Sequence, residues 1–221
     1  MIRPLKVNEL TKLLGNDFVT NFQQDMSAIV SPLRRHLGLK RPLSMGKELW
    51  EYVVADSIPG AVWNGAGHSL ADVILADGKV ADIKSISYMP KSKITTEASM
   101  YQCFDQNAKT FFNLKDKESL WNLYVNGWFN KAHSFEKYYI FAILRQKESI
   151  NCTLTCFEVT NTCPPFDETL CTFTGKSMKI DGIADSDFIK IRYYNSKSRL
   201  EIMFTSRCWS DVEYTLPIFK Y

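Results

Sequence analysis

Residues 66–87 read AGHSLADVILADGKVADIKSIS. Val73-Ile74-Leu75 and the run from Val80 to Ser87 are rich in β-favouring residues, and Asp77-Gly78 between them is a hairpin signal. Three charged residues, Asp72, Asp82 and Lys84, are set into these runs. Side chains alternate along a strand, so Asp82 and Lys84 share one face. The turn decides where Asp72 goes. A two-residue Asp77-Gly78 loop would set Asp72 opposite Ile83, with the two carboxylates on opposite faces. A three-residue Ala76-Asp77-Gly78 loop, with Gly78 left-handed, shifts the pairing by one. Leu75 then faces Lys79 and Asp72 faces Asp82. Glycine in the third position favours this second turn. Directly opposed Cβ atoms lie about 4.5–5.5 Å apart, close enough for both carboxylates to reach one ion.

Two such carboxylates repel each other unless a positive charge lies between them. Oxygen donors favour a hard cation, and Mg2+ takes few protein carboxylates, several waters and substrate phosphate oxygens. Lys84 can meet a phosphate or help to activate a water. The combination suits metal-assisted hydrolysis of a phosphodiester. Taken singly, the residues also have plainer roles. Asp72 could be a strand-end hydrogen-bond acceptor, Lys84 a surface lysine, Asp77 a turn residue and Glu48 a solvated helix residue.

Asp72, nine residues, Asp82, one residue, Lys84 resembles the PD-(D/E)xK nucleases, which include many type II restriction endonucleases. The resemblance covers residues 44–145, where the order helix, three strands, helix, strand matches that family's αβββαβ core. It does not extend to the C-terminal third. Ala71 stands where the family name has proline, and Asp82 takes the place of the commoner glutamate. The resemblance implies that Asp72 and Asp82 bind Mg2+, that Ile83 lends its carbonyl, and that Lys84 orients or activates the attacking water. It also implies an assisting glutamate on the preceding helix, Glu48 first and Glu51 second.

Outward from this core, the stretch 7–39 has apolar residues at helical spacing, with a break expected near Pro32. "SMGKELWEYVVADSIPG" reads as a helix with Ser44 as N-cap and a stop at Ile58-Pro59-Gly60. "AVWNG", "SLADVILA" and "KVADIKSIS" read as strands, 95–129 as mainly helix, and "KYYIFAILR" as a strand. "INCTLTCFEV", "DFIKIRYYN", "RLEIMFTSR" and "DVEYTLPIF" read as further strands, either extending the sheet or forming a small second lobe. The expected class is therefore α/β (α+β), a single nuclease domain over 1–221. It divides into an N-terminal helical segment (1–43), a catalytic core (44–145) and a β-rich extension (146–221).

The bulk composition fits this reading. The 221 residues are 45% hydrophobic and 23% charged, with a formal net charge of +3, so charge alone does not announce a nucleic-acid binder. The six cysteines form no CxxC pair, and the three histidines complete no zinc pattern. Cys152 and Cys156, four apart, read as small apolar residues on one side of a sheet. Reduced thiols fit a cytoplasmic protein, and no apolar run approaches membrane-spanning length. Lys91, Lys93 and Lys109, with Arg34, Arg35 and Arg41, could line a phosphate-binding groove, and Arg207 is a further nucleic-acid candidate. The expected partners are double-stranded DNA and a second copy of the chain, since a two-fold dimer offers one active site per strand. The N-terminal helices or the segment around Trp121 and Trp128 would form the dimer interface, unless those aromatics are core. The function expected is a Mg2+-dependent, sequence-specific endonuclease of the type II restriction kind. The rivals are a structure-specific or repair nuclease of the same fold, and a non-catalytic nucleic-acid-binding protein.

Overall fold

A computed structural model describes residues 2–37, 47–64, 71–88, 96–99, 116–119, 121–122, 138–146, 151–160, 165–174, 177–182, 185, 187–194, 199–205, 207 and 215–217. Strand β1 spans Ile2–Pro4. The helices are α1 (Val7–Leu14), α2 (Phe18–Leu37) and α3 (Lys47–Ser57). The remaining strands are β2 (Val62–Trp63), β3 (Val73–Ile74), β4 (Val80–Tyr88), β5 (Thr96–Ser99), β6 (Tyr138–Gln146), β7 (Asn151–Val159), β8 (Cys171–Phe173), β9 (Ser177–Ile180), β10 (Ile189–Tyr194), β11 (Arg199–Phe204) and β12 (Thr215–Pro217). The protein is thus mixed α and β. Among the described residues no helix is long and apolar enough to cross a membrane.

Seven strands form one sheet in the order β1-β7-β6-β4-β3-β2, with β12 also paired to β7. Five form a second sheet, β5-β11-β10-β9-β8. The chain divides into two compact units that interleave in sequence. One comprises Leu5–Lys91, Tyr139–Phe157 and Trp209–Tyr221; the other comprises Met1–Pro4, Ser92–Tyr138 and Glu158–Cys208. The boundary falls inside β7. Both outcomes foreseen for the C-terminal strands therefore occur: β7 and β12 extend the larger sheet, while β8 to β11 build a separate one.

In the first of these units, α1, α2 and α3 supply Leu10, Leu14, Phe18, Phe22, Met26, Trp50, Val53 and Val54 to an apolar core. The strands add Val73, Leu75, Ala81, Ile83, Phe141, Ile143, Leu154 and the two cysteines Cys152 and Cys156. The cysteines therefore behave as the small apolar residues expected of them. Burial pushes the Cys152 thiol up to about 12. The break in the N-terminal helical stretch falls at Gly15, not at Pro32. Gly15 has φ +80° and packs near the Pro59 ring, whereas α2 runs through Pro32 to Leu37. Proline deletes one helical hydrogen bond and crowds the preceding turn. The apolar stripe Phe18–Phe22–Met26, fully buried, anchors the helix before that point. α3 ends where the Pro59-Gly60 stop predicts, with Gly60 at φ +73°.

In the second unit, one row of buried residues runs across the sheet. Cys171, Ile180, Ile191 and Ile202 meet row by row across four strands, and Ala98 extends the row into β5. The four are all buried. Trp121 is 2% exposed and meets Phe166 edge-on at 5.9 Å, so this aromatic is core rather than interface. Residues 96–99 were expected to open a helix; they form β5, paired with β11. Trp128 and Ser44 lie outside the described residues.

Candidate active site

The hairpin β3–β4 forms in the register that the three-residue loop predicts. Ile74 pairs with Val80 and Val73 with Ala81. The Leu75 N–H donates to the Lys79 carbonyl at 2.7 Å, and the Gly78 N–H to the Leu75 carbonyl at 2.9 Å. Gly78 has φ +80°, the left-handed geometry that glycine adopts without strain. Asp77 stabilises the turn: its carboxylate accepts from the Lys79 N–H at 3.2 Å and pairs with the Lys79 ammonium. Slight burial pushes its pKa up, but the hydrogen bonds and charge of Lys79 outweigh this and hold the carboxyl below its ordinary value.

Beyond Val73 the ladder departs from simple alternation. The Asp72 N–H donates to the Ala81 carbonyl at 3.0 Å, and Ala81 is already the partner of Val73. Two residues therefore face one, the arrangement of a β-bulge. The Asp72 carbonyl accepts from the Asn64 N–H at 2.9 Å, tying the bulge to the segment after β2. The Asp72 carboxylate does not stand simply across from Asp82. One of its oxygens, Oδ2, accepts from the Ile83 N–H at 2.7 Å. It takes the place of a strand carbonyl and rests against the peptide that joins Asp82 to Ile83. The strand-end acceptor role is thus real.

Asp82 and Lys84 sit as alternation requires. Ala81 and Ile83 enter the apolar core, so Asp82 and Lys84 occupy the opposite face of β4. Asp82 Oδ2 lies 3.6 Å from Lys84 Nζ, and the two side chains are 5% and 9% exposed. Lys84 is therefore not a surface lysine. A charge pair this buried is costly to desolvate, and its members depend on each other. On α3, Glu51 is 2% exposed. Glu48 belongs to the same helix, but its side chain lies outside the described residues. A buried carboxylate on the helix preceding the hairpin is therefore Glu51, the second of the two glutamates singled out from the sequence.

The basic candidates are placed unevenly. Arg207 is exposed, pairs with Asp187 and lies over the Phe188 ring at 5.1 Å; these contacts compete with phosphate for its guanidinium. Arg34 and Arg35 fall in the last turns of α2, with side chains outside the described residues. Lys91, Lys93, Lys109 and Arg41 also lie outside them.

The Asp72 and Asp82 carboxylates and the Ile83 carbonyl would supply an all-oxygen donor set of the kind Mg2+ takes alongside waters and phosphate. Among the described residues, no group of three or more His, Cys, Asp or Glu side chains is arranged to hold a metal ion. Any ion here would depend on the Asp72–Asp82 pair with main-chain and substrate oxygens. In comparisons with models of protein families, with curated proteins and with solved structures, nothing matches this chain.

Proposed function

We propose that this protein is a Mg2+-dependent endonuclease that hydrolyses phosphodiester bonds in duplex DNA, in the manner of a type II restriction enzyme. The single observation that carries the reading is the hairpin. Its register sets Asp82 and Lys84 side by side, and its bulge brings the Asp72 carboxylate to the Asp82–Ile83 peptide. α3, β2, β3 and β4 follow one another in the order of the first half of the core that the motif implies, and β5 comes next.

In this reading Asp72 and Asp82 hold the ion, with the Ile83 carbonyl as a third donor. The ion, when bound, supplies positive charge to the scissile phosphate. The Lys84 ammonium, fixed beside Asp82, orients the attacking water and steadies charge on the phosphate. An assisting carboxylate would come from α3, either Glu48 or the buried Glu51. Action on both strands calls for a two-fold dimer, which sedimentation would detect.

The test is incubation of plasmid DNA with the protein in Mg2+ and, in parallel, in EDTA. Cleavage is expected only with Mg2+, with discrete bands if sequence is read and a smear if it is not. Asp82→Asn is expected to abolish it. Absence of cleavage by the folded wild-type chain, or full activity in Asp82→Asn, would overturn the proposal. The burial of Asp82 and Lys84 favours one rival, a non-catalytic nucleic-acid-binding protein in which the pair is structural. Duplex binding that persists in Mg2+ without any product would select it.

A further inference from the structure

The second sheet carries cations in a pattern that its fold does not need. Alternation buries Met178 and Ile180 on β9, and Ile189 and Ile191 on β10. The residues between them, Lys179, Lys190 and Arg192, therefore belong to the opposite face. Lys179 and Lys190 are exposed and Arg192 is half-buried. Lys179 stands directly across from Arg192 in the β9–β10 register, and Lys190 is two residues before Arg192 on the same strand. A like-charged pair at directly opposed positions destabilises a sheet.

Acidic residues occupy the same rows: Glu97 on β5 pairs with Met203, which lies across from Lys190. Glu201 lies across from Arg192 on β11. Elsewhere in this unit, Arg3 pairs with Glu158, Lys117 with Glu168 and Arg207 with Asp187. Lys179 and Lys190 make no ion pair with any described residue. Two exposed ammonium groups thus flank the half-buried Arg192 on β9 and β10, while Met203, across from Lys190 on β11, is buried. Opposed positions are about 5 Å apart across strands, and alternate residues about 6.6 Å apart along one.

We infer that this face of the second sheet, through Lys179, Lys190 and Arg192, binds the phosphate backbone of duplex DNA. The inference rests on the nuclease reading for the identity of the polyanion. It assigns contact residues that the motif does not supply. Lysines of this kind position a duplex without reading its sequence.

Each phosphate neutralised releases counterions, so log K falls with log salt at a slope of about −0.9 per contact on B-form DNA. The experiment measures affinity for a 20-base-pair duplex across a salt series in EDTA, with the full chain. Lys179→Gln/Lys190→Gln is expected to make the slope shallower by about 1.8, and each single variant by about 0.9. Lys6→Gln/Lys12→Gln removes the same charge from two exposed positions at α1 and is expected to leave the slope unchanged. Folding of each variant is checked by circular dichroism, and the single variants carry the test if the double variant does not fold. A wild-type slope in the folded Lys179/Lys190 variants would overturn the inference. So would an equal loss in the Lys6/Lys12 control, or no duplex binding by the wild-type chain. Cleavage in Mg2+ is scored separately. A changed slope without cleavage removes the nuclease and leaves this face standing, whereas cleavage with an unchanged slope removes this face alone.

Discussion

Asp72 gives one carboxylate oxygen to the Ile83 N–H, so its structural and chemical roles can be separated by substitution. Asn keeps an acceptor for that N–H but lacks the charge; Ala keeps neither. Asp72→Ala should lose about 1–3 kcal/mol, the cost of an unsatisfied buried donor. Asp72→Asn should stay within about 1 kcal/mol of wild type. Urea denaturation reads both, and cleavage should be lost in both. The Asp82–Lys84 pair behaves differently, because removing either member takes the opposite charge away from a buried group. Lys84→Met should cost about 3 kcal/mol. The double variant Asp82→Asn/Lys84→Met should cost less than Lys84→Met alone, a coupling that a double-mutant cycle measures. Additive losses would show that the two groups do not depend on each other. Asp82→Asn alone is also expected to lose stability. Its activity must be compared at a temperature where the variant is folded.

The hairpin is the element on which the site depends, and Gly78 is its most exacting residue. A Cβ there would meet nothing within 4 Å, so substitution acts through the backbone alone. Gly78→Ala should cost about 1–2 kcal/mol from the left-handed conformation, read as a lower urea midpoint. An unchanged midpoint would mean that the turn adopts another geometry in solution. This turn was legible in the sequence because Asp-Gly between alternating runs has few solutions. The bulge was not, since period-two counting carries Asp72 straight on to face Asp82. Hydrogen bonds from Asn64 and Ile83 and to Ala81 divert it. β5 was missed for a related reason. Thr96–Ser99 has no strong strand pattern, and its state is set by pairing with β11, a partner about a hundred residues away in sequence.

At the scale of the whole molecule, the sequence showed which segments are strands better than it showed which sheet each joins. The long runs of β6, β7, β10 and β11 were evident from their β-branched and aromatic content. β8 and β9, three and four residues long, were too short to carry a pattern. Interleaving of the two units was also hidden, since no linker marks a boundary that falls inside β7. The cations of β9 and β10 became visible only once the register set Lys179 across from Arg192. Single residues on a strand look like ordinary solvated charges until their neighbours are known.

The pairing of Ile74 with Val80 and Val73 with Ala81 also makes the hairpin intolerant of indels. Deleting one residue between 76 and 78 would invert the phase of β4 relative to β3. The acid and its lysine would turn into the oily layer that Ala81 and Ile83 now fill, and those two would turn outward. Loop length at this point is therefore under a parity constraint as strict as the identity of any side chain it connects.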